Sequence, residues 1–180
     1  GTPAPDFALP DFDGRHHALA DCRAAPALLV AFICSHCPFV RHLRAGFAAL
    51  AREYQPRGLA VVAINANDIV AYPQDGPDAM RTEAAELGYV FPYLLDATQS
   101  VAKDYRAACT PDFFLFDAGR RLVYRGQFDD SRPGNGRPVT GADLRAAIDA
   151  TLAGHAPHAE QLPSLGCNIK WRKGNEPDYY

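Results

Sequence analysis

The sequence predicts an α/β fold in which a central mixed sheet is flanked by helices. Apolar runs of strand length alternate with stretches whose apolar residues recur every three or four positions, which is typical of strands alternating with amphipathic helices. With 180 residues, of which 48% are hydrophobic and 22% charged, the chain can bury a core of its own. We expect one domain over residues 1–153 and a C-terminal extension, residues 154–180, packed on the same domain.

The first half of the chain predicts a hairpin and then a β-α-β unit. The turn pair Asp13-Gly14 lies between two short apolar runs, as in a tight hairpin. A continuous apolar run then has the length of a fully buried strand, and the helix after it ends at Gly58. In order, the elements are the hairpin arms Phe7–Leu9 and His17–Leu19, the strand Ala27–Ile33, the helix face Phe39, Leu43, Phe47, Leu50 and Tyr54, and the parallel strand Leu59–Ile64.

The second half predicts two helices, a β-hairpin and a last helix. A polar loop, residues 65–77, leads into the first of these helices, and the turn Asp117-Ala118-Gly119 joins the arms of the hairpin. Pro and Gly punctuate the chain after the last helix, which predicts an irregular tail. The elements are the helix Asp78–Leu87, the strand Tyr93–Leu95, the helix Ser100–Ala107, the hairpin arms Phe113–Phe116 and Arg121–Phe128, and the helix Ala142–Leu152.

The tetrapeptide Cys34-Ser35-His36-Cys37 stands where the first core strand ends and the long helix begins. The free N–H groups and the dipole at a helix N-terminus stabilise an anion and therefore favour thiolate over thiol. His36, when protonated, would add positive charge beside Cys34. We therefore predict a redox dithiol in which Cys34 is an exposed nucleophile of lowered pKa and Cys37 is the buried resolving cysteine.

Two cysteines three residues apart also permit other interpretations. They could be half of a zinc site or a pair of buried apolar side chains, although a structural zinc site needs a second pair of ligands that the sequence does not supply. A metal-binding or metallochaperone domain using Cys34, Cys37 and His36 is a further alternative, because soft thiolates suit Cu(I). The redox dithiol is the preferred interpretation, with no metal and no cofactor expected.

Charge and cysteine usage limit the class of partner. A net charge of −3 gives no electrostatic reason to expect nucleic acid, and no apolar stretch has the length of a membrane span. The first ten residues lack the pattern of a signal peptide, and five scattered cysteines do not form a disulfide scaffold, so we expect a reducing, cytoplasmic location. The expected partners are disulfides or dithiols of proteins or small molecules, together with an electron donor.

Several segments of the chain resemble the thioredoxin-like superfamily. Closest is the redoxin (AhpC/TSA-type) branch, and within it a peroxiredoxin-like subfamily that carries Cys-x-x-Cys. The resemblance implies a thioredoxin-like fold, a thiol-disulfide oxidoreductase, a cis-proline at Pro111 facing the dithiol, and substrate contacts from Ser35, Thr110 and Pro111. The segments that carry it are Pro3–Phe7, Phe32–Phe39, Cys109–Phe114, Tyr124–Pro133 and Leu165–Trp171.

The same resemblance leaves a thiol-dependent peroxidase open as an alternative. Peroxiredoxins support their peroxidatic cysteine with a Pro-x-x-x-Thr-x-x-Cys segment; if Cys37 were that cysteine, Val30 and Cys34 would replace the Pro and the Thr.

The geometry of the second hairpin would bring the loop of residues 129–132 back beside Pro111, either as a rim of the substrate groove or as a solvated turn.

The remaining cysteines lie outside the motif. Cys109 is two residues before Pro111, and Cys167 is in a tail long enough to reach most of the surface. We expect Cys109 to be an auxiliary redox thiol with Cys167 as its partner, and Cys22 to be structural. The alternative is that Cys109 and Cys167 are packed, reduced side chains.

Overall fold

The computed structural model describes residues 1–180 and contains a five-stranded mixed sheet in the order β5-β4-β3-β7-β8. Strands β3, β4 and β5 run parallel, whereas β7 and β8 are antiparallel to their neighbours. The strands are β1 Ala8–Pro10, β2 His16–Ala18, β3 Ala27–Phe32, β4 Leu59–Asn65, β5 Tyr93–Leu95, β6 Cys109–Thr110, β7 Asp112–Phe116, β8 Leu122–Gly126 and β9 Cys167–Asn168.

Helices cover both faces of this sheet, as the α/β prediction requires. They are α1 Pro38–Tyr54, α2 Pro77–Leu87, α3 Ser100–Tyr105 and α4 Ala142–Leu152. None of them combines the length and the apolar character that a bilayer crossing needs. The third helix is shorter than predicted because Arg106 adopts a left-handed conformation, with φ of 55°, that ends it.

Side chains of β3 alternate between two apolar clusters, one on each face of the sheet. Leu29 and Ala31 point into the cluster that also holds side chains of α1, α2 and α4, and Cys34 and Cys37 belong to this cluster. Val30 and its alternate neighbours point into the cluster formed with α3 and the C-terminal tail. Both faces of the strand are therefore buried, which explains its continuous apolar sequence.

The N-terminal hairpin and the tail complete the fold. Strands β1 and β2 pair antiparallel around Asp13-Gly14, one residue away from the predicted bounds. The tail crosses the domain and pairs its strand β9 with β6. Ile169 and Trp171 of the tail are buried in the cluster on the α3 face. Burial of large apolar side chains stabilises by about 1.5–3 kcal/mol each, so these two residues hold the tail against the domain.

The hairpin β7/β8 ends earlier than predicted. Its second arm stops at Gly126, because beyond it the Gln127 N–H donates to the Leu162 carbonyl of the tail and no longer to β7. The tail therefore lies beside the end of this hairpin and beside the segment Thr110-Pro111.

Candidate active site

The Cys-x-x-Cys segment forms the bend between β3 and α1. The strand ends at Phe32, and the helix begins at Pro38 with Cys37 as its N-cap residue. Pro38 lies at the first helical position, where its missing N–H costs no hydrogen bond. The α1 N-terminus is therefore adjacent to Cys37, and Cys34 lies three residues before the cap.

Burial differs from the prediction for Cys34. Both Cys34 and Cys37 are only 1% exposed. The expectation of an exposed Cys34 at the helix end is wrong, because the bend carries its side chain into the core cluster on the α1 face.

The pKa values of the two thiols are shifted in opposite directions. The pKa of Cys37 is lowered because it accepts a hydrogen bond from the Cys34 thiol, with further contributions from Thr110, the Val40 N–H and Cys167. The pKa of Cys34 is raised by that same hydrogen bond, by burial and by the charge of Asp75. Within the pair, this hydrogen bond favours the thiolate at Cys37, whereas burial and the charge of Asp75 oppose the low pKa predicted for Cys34.

Asp75, from the loop between β4 and α2, lies against both the backbone of the motif and the side chain of His36. This carboxylate has no exposed surface. Its Oδ1 accepts the backbone N–H groups of Ser35 and His36, each at 3.1 Å, and its Oδ2 lies 2.5 Å from His36 Nδ1. The imidazole therefore faces Asp75, while the negative charge of Asp75 acts on Cys34.

Two asparagines that the sequence places after β4 hold Asp75 in position. Asn67 Nδ2 donates to Asp75 Oδ2 at 3.0 Å, and Asn65 Nδ2 donates to the Asp75 carbonyl at 2.6 Å. Both asparagines are buried. The sequence prediction left Asp75 out because it lies in a polar loop, and nothing local in the sequence signals that this loop folds over the dithiol.

Cys34, His36 and Asp75 are also the one group whose ligand atoms are close enough for a metal ion, all within 4.8 Å of one another. The metal-binding alternative predicted from the sequence had Cys37, and not Asp75, as the third ligand beside Cys34 and His36. Both carboxylate oxygens of Asp75 already accept hydrogen bonds from the chain, so this group fits a metal ion poorly.

A second buried carboxylate, Glu83 of α2, lies behind the motif. Burial raises the pKa of Glu83, and this is opposed by a hydrogen bond from Tyr89 and by the nearby charge of Arg44. Tyr89 Oη donates to Glu83 at 2.5 Å. Ser35 is itself buried in this conformation, and its expected substrate contact stays a prediction.

The segment Thr110-Pro111 packs directly on the dithiol, and its peptide bond is cis as expected. Thr110 Oγ1 is 3.6 Å from Cys34 Sγ, and the Thr110 carbonyl oxygen is 3.4 Å from Cys37 Sγ. This carbonyl oxygen accepts a hydrogen bond from the Cys37 thiol when the thiol is protonated. The expected substrate contact of the Thr110 backbone is wrong for this conformation, because Thr110 pairs with Cys167 of the tail.

The other cysteines are also thiols, and their positions differ. Cys167 lies opposite Thr110 in the β6/β9 ladder and packs against the core cluster that contains Cys34 and Cys37. Cys109 lies opposite Asn168, and its thiol donates to the Pro111 carbonyl at 3.5 Å. Burial raises the pKa of Cys109 to about 12. Cys109 and Cys167, which were expected to be partners, are therefore not opposite each other in the ladder but are displaced by one residue.

Comparison with known proteins assigns the family. The model of the AhpC/TSA family matches residues 1–125. The chain belongs to the AhpC/TSA family. It is also similar to the thiol-disulfide oxidoreductase ResA of Geobacillus thermodenitrificans, with 29% identity over 68% of this chain and 66% of that protein.

Solved structures show the same fold. A hypothetical protein from Sinorhizobium meliloti 1021 is 59% identical, with a TM-score of 0.94 over 96% of this chain and 94% of that chain. A thiol:disulfide interchange protein of the thioredoxin family from Chlorobium tepidum TLS is 19% identical, with a TM-score of 0.64 over 84% of this chain and 96% of that chain. The AhpC/TSA protein described here therefore has the predicted thioredoxin-like fold.

A narrow groove opens beside Pro111 of this AhpC/TSA protein. The loop of residues 129–132 returns to Pro111 as the hairpin geometry predicted, and it forms one wall of the groove. His42 of α1 contacts Ser131 of this loop through Nε2 and Oγ, 2.9 Å apart. The tail supplies the opposite wall through Ser164 and Leu165. The groove therefore lies between the start of α1, the hairpin loop and the tail.

Proposed function

We propose that this AhpC/TSA protein is a thiol-disulfide oxidoreductase whose redox centre is the dithiol of Cys34 and Cys37. The observation that carries the proposal is the hydrogen-bonded thiol pair at the N-terminus of α1, in which one thiol is acidified and the other retains its proton. The acidified thiol can then act as the nucleophile, and the protonated thiol can resolve the mixed disulfide in a second step. The resemblance to ResA, named a thiol-disulfide oxidoreductase, supports the same activity.

The lowered pKa of Cys37 supports Cys37 as the attacking cysteine. Its thiolate attacks one sulfur of a substrate disulfide, forms a mixed disulfide and releases the other substrate sulfur as a thiolate. Cys34 then loses its proton, attacks Cys37 Sγ and releases the second substrate thiolate. The substrate gains two electrons, and the protein is left with a Cys34–Cys37 disulfide. The reverse sequence oxidises a substrate dithiol.

Asp75 and His36 provide a place for the proton that Cys34 loses. The side-chain atoms of Cys34, His36 and Asp75 lie within 4.8 Å of one another. While Cys34 holds its proton, the carboxylate charge opposes ionisation; a proton received by the Asp75–His36 pair would reduce that charge as the Cys34 thiolate forms. This assignment supplies the proton acceptor that the motif needs.

Trapping of mixed disulfides tests the proposal and the order of attack. The variants Cys34→Ser and Cys37→Ser are made in a Cys167→Ser background, which removes the third thiol next to Cys37. With glutathione disulfide, the Cys34→Ser protein should retain glutathione on Cys37, and the Cys37→Ser protein should retain much less on Cys34. Peptide mass spectrometry after alkylation of free thiols gives the site.

The parent Cys167→Ser protein should form the Cys34–Cys37 disulfide under the same conditions, and Cys22→Ser, remote from the pair, should behave as wild type. Retention on Cys34 alone would return the attacking role to Cys34. Absence of any Cys34–Cys37 disulfide in the parent protein would refute the proposed function.

A thiol peroxidase is the second candidate, and the N-cap position of the acidified Cys37 favours it. The absence of the peroxiredoxin supports counts against it, because Val30 is buried within β3 and Cys34 is a thiol that donates to Cys37. Consumption of hydrogen peroxide in the presence of dithiothreitol, compared between wild type and Cys37→Ser, tests this activity. Turnover that depends on Cys37 and exceeds disulfide exchange would favour the peroxidase.

A further inference from the structure

The C-terminal tail is built closely onto the segment Thr110-Pro111. A Cβ atom on Gly166 would lie 1.9 Å from the Thr110 carbonyl oxygen and 3.1 Å from the Pro111 nitrogen. Real Cβ atoms do not approach backbone this closely, so only glycine allows the tail to pass here. The next residue, Cys167, pairs with Thr110 in the β6/β9 ladder. The close approach at Gly166 and the pairing with Thr110 therefore fix the backbone position of Cys167.

Hydrogen bonds beyond Cys167 keep this register. The Ile169 N–H donates to the Ala108 carbonyl at 3.2 Å, and the Lys170 N–H donates to Asn67 Oδ1 at 2.9 Å. Asn67 is the residue that also donates to Asp75. The same buried asparagine therefore connects the tail to the carboxylate beside Cys34.

The strand geometry directs Cys167 toward the dithiol. In an antiparallel ladder, directly opposed residues place their side chains on the same face of the sheet. Thr110, opposite Cys167, points its hydroxyl at Cys34 Sγ. The thiol of Cys167 correspondingly packs against the core cluster that holds both motif cysteines, and it contributes to the lowered pKa of Cys37. Cys109, one residue earlier, lies on the opposite face of this ladder.

We propose that Cys167 is a third redox thiol that exchanges with the Cys34–Cys37 disulfide to form a Cys37–Cys167 disulfide. The inference rests on the proposed function, because the Cys34–Cys37 disulfide is the species that Cys167 attacks. In this step the Cys167 thiolate attacks Cys37 Sγ, the Cys37–Cys167 bond forms and the Cys34–Cys37 bond breaks. Cys34 leaves as a thiolate and takes up the proton that Cys167 gave up, so no electrons are gained or lost by the protein.

The exchange moves the disulfide out of the core. Cys34 and Cys37 are 1% exposed, whereas Cys167 is half-buried. A thiol from outside that reduces the protein would therefore meet the sulfur of Cys167 more readily than that of Cys34. Cys167 would connect a shielded dithiol to an external dithiol, such as the reduced motif of another redox protein.

Oxidation of Cys34→Ser with glutathione disulfide tests the third thiol directly. Glutathione attached to Cys37 should be displaced by Cys167, giving a Cys37–Cys167 disulfide with no retained glutathione. In Cys34→Ser/Cys167→Ser the glutathione should stay on Cys37. The matched control is Cys34→Ser/Cys109→Ser, in which displacement should proceed as in Cys34→Ser. Peptide mass spectrometry identifies each link, and thermal melting confirms that each variant is folded.

Diamide, which joins neighbouring thiols without a thiol leaving group, separates the two proposals. A Cys37–Cys167 link formed by diamide in Cys34→Ser, together with no glutathione adduct on Cys37 in Cys34→Ser/Cys167→Ser, would refute Cys37 as the attacking thiolate and still support Cys167 as its partner. Equal retention of glutathione in Cys34→Ser and Cys34→Ser/Cys167→Ser, with no Cys37–Cys167 link under either oxidant, would overturn the inference. Dependence of the displacement on Cys109 in place of Cys167 would overturn it as well.

Discussion

Substitution of Gly166 by alanine should detach or displace the tail strand. The added Cβ would be 1.9 Å from the Thr110 carbonyl oxygen and 2.6 Å from its carbonyl carbon. An ordinary contact is about 3.4 Å or more, so the two backbones must separate by about 1.5 Å. Forced insertion of a methyl group into packed structure costs about 1–3 kcal/mol when the surroundings absorb it locally.

A larger loss follows if the backbones separate along the whole strand. Ile169 and Trp171, which lie beyond Gly166, are 2% and 9% exposed. Exposure of both side chains would add about 3–6 kcal/mol at about 1.5–3 kcal/mol each. The free energy of unfolding of Gly166→Ala should therefore fall by at least about 1 kcal/mol, and by several times more if the tail leaves the domain.

Urea unfolding followed by fluorescence and far-ultraviolet circular dichroism measures this loss. Gly119→Ala is the matched control, because its Cβ would meet its nearest neighbour, Asp117 Oδ1, at an ordinary 3.4 Å. A detached tail should also lower the m-value between folded and unfolded states, since less surface remains to be exposed. If Gly166→Ala unfolds within about 0.5 kcal/mol of Gly119→Ala, the close approach of the tail to Thr110 is wrong.

Two further predictions concern the buried carboxylates. Asp75→Asn should lower the pKa of Cys34, because the substitution removes a negative charge that raises this pKa. Thiolate absorbance of the reduced protein measures the change. An unchanged titration would show that the charge of Asp75 does not affect the pKa of Cys34. For Glu83, burial raises the folded-state pKa above 4.5, so its contribution to stability is fully present below pH 4.5 and is lost as the pH rises through the folded-state pKa. Glu83→Gln should lack this loss, and urea unfolding at several pH values checks it; an identical pH profile for Glu83→Gln and wild type would contradict a raised pKa.

The sequence alone was sufficient to predict the fold and the position of the Cys-x-x-Cys motif within it. The run Ala27–Ile33 and the helical spacing of Phe39, Leu43 and Phe47 record local burial, and local burial is what periodicity measures. The position of Cys34-Ser35-His36-Cys37 between these elements follows from the same pattern. The presence of a dithiol at a strand-to-helix junction therefore required no knowledge of distant contacts.

Only the tertiary structure decided which residues surround the two cysteines and shift their pKa values. Asp75 and Cys167 come from a polar loop and an irregular tail, where no repeating pattern records what the chain packs against. Charges and hydrogen bonds act over a few ångströms in space whatever the sequence separation. Asp75 therefore raises the pKa of Cys34 from 41 residues away, and Cys167 helps to lower the pKa of Cys37 from 130 residues away. The proton affinities within Cys-x-x-Cys are thus a property of the folded surroundings, whereas the motif itself is a property of the sequence.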